Sequence, residues 1–195
     1  MDDILSISEQ NQQRAWKVVN DSDIINIWQS VGAEINLIGS LKTGLLMKHR
    51  DIDFHIYTPS LNISDSFQAM AKLAENPRIK NITYTNLLDT EEACIEWHAW
   101  YLDVEDQLWQ IDMIHILKGS KYEGYFENVA DKIINVLTPD IKRTILSLKY
   151  DTPDDEKIMG IEYYVAVIRH GITNYSDFAA WRKKNPATSI IEWLP

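Results

Sequence analysis

Asp51 and Asp53 stand one residue apart within an apolar run, and a Gly39-Ser40 pair ends the apolar run before it. Successive side chains of a β-strand point to opposite faces, so both carboxylates would emerge on one face, roughly 6 to 7 Å apart. Carboxylates at that spacing can share divalent cations, and Mg²⁺ is the usual partner of phosphate groups. The pattern therefore predicts a metal site that faces a bound phosphate.

The Gly39-Ser40 pair has the properties of a phosphate seat. Glycine lets the backbone approach an anion closely, and a helix that begins there would direct free N–H groups toward it. Ser40 adds a hydroxyl donor, and Lys42 could add a positive charge toward the outer phosphates. A third acid, Asp112, lies in an apolar strand, where a lone carboxylate is rare. The predicted site therefore combines the carboxylates Asp51, Asp53 and Asp112 with the phosphate-binding residues Gly39, Ser40 and Lys42.

The elements around these residues can be read from periodicity and caps. Residues 8–19 and 22–31 have the pattern of helices, and residues 34–38 and 51–58 that of strands. A turn and a short helix should join the two strands over residues 39–48. We expect the two strands to hold the glycine-serine pair and the aspartate pair at neighbouring ends.

The next part of the chain continues the mixed pattern. A helix should begin at Ser64 and end before Pro77, and a third strand should follow over residues 79–87. Residues 95–103 and 108–117 have the pattern of a hairpin, with Asp112 in its second strand. The first 120 residues thus predict a small mixed β-sheet flanked by helices.

Beyond Gly119 the start signals are those of helices alone. Thr138-Pro139 and Thr152-Pro153 are both caps followed by proline, and a last helix should begin at Ser176. The fold class predicted is α/β (α+β), with residues 1–120 as one domain and residues 121–195 as a C-terminal helical region.

Composition limits the partners and the compartment. The formal net charge of -10 over 195 residues argues against long nucleic acids and favours small or cationic partners. Cys94 is the single cysteine, so the chain can form no internal disulfide. The acidic start of the sequence and the lack of an apolar run of about 20 residues predict neither export nor membrane anchoring. A cytoplasmic location is therefore expected.

Three segments, residues 38–44, 50–54 and 111–113, together resemble the signature of the DNA polymerase beta-like nucleotidyltransferase superfamily. That signature is a strand that ends in Gly-Ser, a strand with an aspartate-any-aspartate pair, and a later strand with a third aspartate. The resemblance covers residues 22–117 and is closest to the small bacterial branch with the aminoglycoside and lincosamide adenylyltransferases. The sequence departs from the pattern at Leu41 and Thr43, where relatives often carry arginines.

The resemblance implies a nucleotidyltransferase fold and the transfer of a nucleoside monophosphate from a nucleoside triphosphate, expected to be ATP, to a hydroxyl. Pyrophosphate would be released, and the acceptor would be a small molecule, such as a cationic aminoglycoside, or another hydroxyl compound. It also implies two Mg²⁺ ions held by the catalytic residues Asp51, Asp53 and Asp112, and a triphosphate held by Gly39, Ser40 and Lys42.

Two alternatives compete with this interpretation. The first is a nucleotide-binding or regulatory module that kept the fold without catalysis, against which the intact set of three aspartates argues. The second is a histidine phosphatase or phosphoglycerate mutase, because Arg169-His170-Gly171 resembles their motif. In that family a second catalytic histidine follows, whereas no histidine follows Gly171 here. Basic residues before a glycine also suit an ordinary helix C-terminus.

The other histidines and the cysteine have weaker patterns. His55 shares a strand face with the aspartate pair and could line the site, and His49 could contact nucleotide. His98 and His115 lie among tryptophans in the predicted hairpin, which indicates packed, hydrogen-bonded imidazoles. Cys94 is expected to be buried and inert.

Overall fold

A computed structural model of the chain describes residues 3–187 and 190–195. Its strands are β1 (Glu34–Ile38), β2 (Asp51–Tyr57), β3 (Ile79–Asn86), β4 (Cys94–Leu102) and β5 (Leu108–Ile116). They form one sheet in the order β1-β2-β5-β4-β3, in which β2 and β5 are parallel and all other neighbours antiparallel. The mixed α/β class with a small mixed sheet, predicted from the sequence, is confirmed.

Helices lie on both faces of this sheet. They are α1 (Ile4–Ser22), α2 (Ile24–Gln29), α3 (Gly39–Thr43), α4 (Ile63–Ala74), α5 (Tyr125–Val136), α6 (Pro139–Asp151), α7 (Gly160–Tyr164) and α8 (Tyr175–Lys184). A π-helical segment, Val165–Arg169, continues α7. Across the described residues, no helix combines the length and the apolar character needed to cross a bilayer.

One face of the sheet packs on helices from the first half of the chain. Its side chains include Ile52, Phe54, Trp97, Ile111 and Met113, which are all buried. Helices α1, α2 and α4 cover them and complete a single hydrophobic core. The opposite face is thereby left free to carry polar groups.

A second hydrophobic core lies among the later helices. It joins residues of α5, α6, α7 and α8 to Leu45 and Met47, which follow α3. Helix α5 also contacts α3 and β1, so this core adjoins the second face of the sheet. The division of the chain near residue 120 stays a prediction.

The structure differs from the predicted elements at three places. Helix α3 begins at Gly39 itself, where a turn was expected to come first. The predicted helix start at Thr152-Pro153 is wrong, because Thr152 ends α6 and donates its hydroxyl to Leu148 O, and the next helix begins only at Gly160. Helix α5 was not predicted, since its N-cap is Gly124 at φ 69°, with no capping side chain.

Candidate active site

Asp53 and Asp112 lie side by side in the sheet. The parallel pairing of β2 and β5 places Asp53 opposite Asp112 and Asp51 opposite Gln110. Opposite residues share a face, and Asp51 shares the face of Asp53 through the two-residue period. All three predicted carboxylates therefore emerge on the face that α1, α2 and α4 leave uncovered.

Asp53 packs directly against the backbone of Gly39. Ile38 is paired with Asp53 across β1 and β2, and the chain turns at Gly39 with φ 67°. A Cβ atom on Gly39 would overlap Oδ2 of Asp53. Glycine is required here both by the left-handed backbone and by this close approach.

The environment of Asp53 opposes its negative charge. Burial is the largest cause that raises the pKa of Asp53 well above its ordinary value, and the charges of Asp51 and Asp112 raise it further. Lys149 offsets part of this rise. A partly buried carboxylate between two others is costly to ionise unless a cation binds there, and carboxylate oxygens are the ligands that Mg²⁺ prefers. These residues therefore fit a divalent cation.

Asp112 is held by two donors on one of its oxygens. Its Oδ1 accepts hydrogen bonds from His98 Nδ1 at 2.7 Å and from Gln110 Nε2 at 2.8 Å. The bond to Asp112, opposed in part by burial, raises the pKa of His98, and Glu96 lies 3.7 Å from the other ring nitrogen. The tryptophan-rich hairpin predicted packed, hydrogen-bonded imidazoles, and the hydrogen bond of His98 is present, with a carboxylate of the candidate site as its acceptor.

The three aspartates do not form a closed cage for a single ion. Within residues 3–187 and 190–195, the set of three such side chains with ligand atoms all within 4.8 Å of one another is Glu92, Cys94 and Glu96. A two-ion site is more open, because its ions lie about 3.5 to 4 Å apart and each takes its own ligands. Within the described residues, the three aspartates do not meet the 4.8 Å distance criterion together.

Ser40 is hydrogen-bonded to a lysine side chain that the sequence did not indicate. Lys149 Nζ donates to Ser40 Oγ at 2.8 Å and to Leu45 O at 2.9 Å, and its side chain is only 6% exposed. Tyr164 OH lies 3.4 Å from the same serine oxygen. Lys149 follows Ile145 by one helical turn on the buried face of α6, which is the one pattern that could have singled it out.

Lys42 lies apart from these groups. Its side chain is 41% exposed on α3, and its Nζ is 3.8 Å from Asp131 of α5. The neighbouring Leu41 is buried in the first core, and Thr43 donates its hydroxyl to Gly39 O at 3.1 Å. The two positions where relatives often carry arginines thus serve packing and the local turn.

A cavity of about 510 Å³ opens beside the carboxylates. Gly39, Ser40, Asp51 and Asp53 line one end of it. Its remaining walls come from β4, β5, α5 and the segment around α7, and they are mostly apolar. A volume of this size is that of a site for a small organic molecule.

A smaller pocket of about 40 Å³ adjoins the cavity at Ser40 and Asp51. Lys48, His49 and Lys149 line it. Among the described residues, His49 Nε2 is buried without a hydrogen-bond partner. This pocket is therefore the cationic side of the site.

The positions of two other histidines can be compared with the sequence predictions. His55 lines the cavity, as its strand period indicated, and its Nδ1 is 3.2 Å from Glu127 Oε1. His170 is exposed at the end of the π-helical segment, with its ring 5.6 Å from that of Trp181. Of the phosphatase-like motif, Arg169 ends the π-helical segment and His170 and Gly171 follow it, and none of the three lines the cavity.

Solved structures of several polymerases share this fold. The chain matches the Cid1 poly(U) polymerase with a TM-score of 0.61 and 14% identity, over 84% of this chain and 51% of that one. It matches the poly(A) polymerase complex GLD-2–GLD-3 with a TM-score of 0.57 and 8% identity, over 86% and 58%. A cytoplasmic RNA terminal U-transferase matches with a TM-score of 0.52 and 13% identity, over 83% and 51%.

The chain spans about half the length of these polymerases, and at such low identities the likeness shows the fold alone. No family model matches the sequence. No curated protein matches it either. The sheet flanked by helices is thus the nucleotidyltransferase fold that the sequence motifs indicated, while the finer resemblance to the aminoglycoside branch stays a prediction.

Proposed function

We propose that this chain is a Mg²⁺-dependent nucleotidyltransferase that moves a nucleoside monophosphate from a nucleoside triphosphate, ATP first, to the hydroxyl of an acceptor. The observation that carries the proposal is the pairing of Asp53 with Asp112 in register, with Asp51 on the same face and Gly39 against Asp53. Three acids that repel one another beside a serine-lysine pair have a physical reason to be there only if cations and phosphates bind.

Each side chain has a defined task in this reaction. Asp51, Asp53 and Asp112 would hold two Mg²⁺ ions, which when bound would lower the pKa of the acceptor hydroxyl and offset the charge of the departing pyrophosphate. Ser40 and Lys149 bind the outer phosphate oxygens, through a hydroxyl donor and an ammonium group. In this arrangement Lys149 takes the part that the sequence assigned to Lys42.

The nucleotidyl transfer takes place in a single displacement at the α-phosphorus. The acceptor oxygen forms a bond to the α-phosphorus, and the bond from that phosphorus to the bridging oxygen of pyrophosphate breaks. The hydroxyl proton passes to Asp112, whose Oδ1 is fixed by His98 and Gln110. Positioning and electrostatic stabilisation carry most of the catalysis in such reactions.

The acceptor that we propose is a small hydroxyl compound, cationic ones included. The surface of a chain with a formal net charge of -10 repels long polyanions. The matched polymerases are named for poly(A), poly(U) and RNA, so an RNA end is the acceptor against which the small compounds should be compared.

Thermal unfolding with and without Mg²⁺–ATP tests the site. We expect the ligand to raise the melting temperature of the wild type, and Asp53→Asn to remove the rise, because binding to the folded state stabilises it. Asp89→Asn, which alters an exposed acid, should keep the rise. Equal rises in the wild type and in Asp53→Asn would refute the proposed site.

Pyrophosphate release distinguishes catalysis from binding. The open spacing of the three aspartates is the observation that favours the second candidate, a nucleotide-binding module without catalysis. Wild type, Mg²⁺ and each nucleoside triphosphate should be incubated with aminoglycosides, small alcohols, RNA ends and protein hydroxyls. Release that depends on both the acceptor and Asp112 supports the transferase. Tight nucleotide binding without release for any acceptor would favour the module.

A further inference from the structure

The site divides into a cationic side and an apolar side. The pocket of about 40 Å³ and the cavity of about 510 Å³ meet at Ser40 and Asp51. Lys48, His49 and Lys149 all line the small pocket. The described residues that line the large cavity include no lysine and no arginine. Lys48 is paired with Asp154 at 2.7 Å, so Lys149 is the charge that an anionic group would meet on this side of Asp51.

The walls of the large cavity are apolar, with acids at one edge. Ile114 and Ile116 of β5 face Tyr125, Phe126 and other residues of the α5 region. The members of this wall that can carry a negative charge, apart from the site aspartates, are Glu92, in the turn before β4, and Glu96 on β4. Between them, burial raises the pKa of the Cys94 thiol to about 12, so that this position stays neutral.

These walls determine which ligands can enter. Burial of apolar surface contributes about 25 cal/mol per Å², so a ligand gains mainly from its hydrocarbon groups. A phosphodiester or carboxylate placed here would lose its hydration and, among the described lining residues, meet no lysine or arginine that could neutralise its charge. His55 offers no compensation, because it is paired with Glu127.

The direction of the displacement indicates which substrate uses the cavity. In phosphoryl transfer the attacking and leaving oxygens lie roughly in line with the phosphorus between them. If pyrophosphate leaves toward Ser40 and Lys149, the acceptor must approach from the opposite side. The large cavity borders Asp51 as well, and Lys48, His49 and Lys149 are not among the residues that line it.

We propose that the large cavity binds the acceptor, and that the acceptor is a largely apolar small molecule, neutral or with one amine, whose hydroxyl reaches toward Asp51 and Asp53. This inference rests on the proposed function and narrows its substrate class. An amine would lie near Glu92 and Glu96, where the carboxylates stabilise a positive charge. RNA is excluded from this cavity by the same charges.

Displacement of a neutral apolar dye tests the cavity without any catalysis. Nile red fluorescence should rise on binding to the wild type, and three naphthalene compounds that differ in charge should then compete: naphthalenemethanol, naphthylmethylamine and naphthoate. We expect the alcohol and the amine to displace the dye at least about tenfold better than the anion. Oligouridylate and Mg²⁺–ATP should leave the dye bound.

Variants locate the dye and the amine. Ala130→Phe places a larger side chain in the cavity and should abolish dye binding. If this variant has a lowered melting temperature, Val129→Phe fills the same cavity from a neighbouring position. Glu92→Gln should weaken naphthylmethylamine and leave naphthalenemethanol unchanged. Glu91→Gln, an exposed neighbour, is the matched control and should change neither.

Several outcomes would overturn the inference. Displacement by naphthoate or oligouridylate as efficient as that by the alcohol would show that the cavity accepts anions. Displacement by Mg²⁺–ATP would assign the cavity to the nucleotide instead of the acceptor. Neither result depends on turnover, so failure here is distinguishable from failure of the proposed function, which the Asp53→Asn thermal shift measures separately.

Discussion

Lys149 Nζ lies 2.8 Å from Ser40 Oγ and links helix α6 to helix α3, which follows β1. The lysine is buried, and its charge lowers the pKa of Asp53 against the effect of burial and of the other aspartates. A cation from the later helices thus completes a site whose acids come from the sheet. The site therefore exists only when the two hydrophobic cores are assembled together.

Lys149→Met should weaken Mg²⁺–ATP binding at least about tenfold, because a charge-assisted bond to phosphate contributes about 1.5 to 3 kcal/mol. Lys42→Met is the matched control. Because the Lys42 side chain is exposed, this change should alter the dissociation constant of Mg²⁺–ATP by less than about twofold. Isothermal titration would measure both constants, with urea unfolding to verify that each variant is folded. A larger loss in Lys42→Met would restore the assignment made from the sequence.

Gly39→Ala should lower the free energy of unfolding more than the same substitution at a left-handed glycine elsewhere in the chain. Alanine at φ 67° costs about 1 to 2 kcal/mol, and its Cβ would also collide with Asp53 Oδ2. Gly171→Ala has a similar φ of 65° with no atom within 4 Å, so it carries the backbone cost alone. We expect the free energy of unfolding in urea to fall further for Gly39→Ala. Equal losses would show that Asp53 moves away freely.

The sequence was sufficient for the strands and for one face of the site. Strand β1 matches its predicted bounds, and the one-residue spacing of Asp51 and Asp53 placed both on one face. The approach of Asp112 depends on β5 pairing in parallel with β2, which is a matter of strand order. Local periodicity carries no information on strand order, so the sequence indicated Asp112 only as an isolated acid in an apolar strand and through the motif resemblance.

The two lysines, Lys42 and Lys149, also show that the sequence does not determine which distant residues meet at the site. Lys42 follows Ser40 closely in the sequence, which predicts a place beside the phosphates, yet its side chain pairs with Asp131 on α5. Lys149 is remote in sequence and reaches Ser40 because α6 packs against the segment after α3. Long-range packing of helices decides which lysine reaches the site, and a single sequence does not contain that information.

Asp53→Asn should stabilise the protein when no metal is present. The folded chain buries Asp53 near two other carboxylates, so an uncharged side chain there avoids both the cost of burying a charge and the repulsion. The melting temperature in EDTA should therefore rise for Asp53→Asn and stay unchanged for Asp89→Asn. A fall for Asp53→Asn would mean that its carboxylate makes a contact that stabilises the fold.

His115 should make the stability of the protein depend on pH in the acidic range. The ring is fully buried, with its edge toward Trp28, and burial lowers its pKa from 6.5 to about 4, although Asp65 raises it slightly. Thr58 Oγ1 donates to Ser60 O, so His115 Nε2–H donates to Thr58 Oγ1 at 2.9 Å. The remaining ring nitrogen, Nδ1, is buried without a partner among the described residues.

Between pH 6.5 and about 4 the unfolded chain takes up a proton on His115 that the folded chain does not accept. Stability is therefore fully present above pH 6.5 and falls as the pH drops through this window, by roughly 3 kcal/mol for this group. His115→Leu should flatten that part of the curve relative to the wild type, whereas His170→Leu, at an exposed position, should run parallel to it. Urea unfolding at a series of pH values measures the difference. Parallel curves for His115→Leu and the wild type would show that His115 titrates alike in both states.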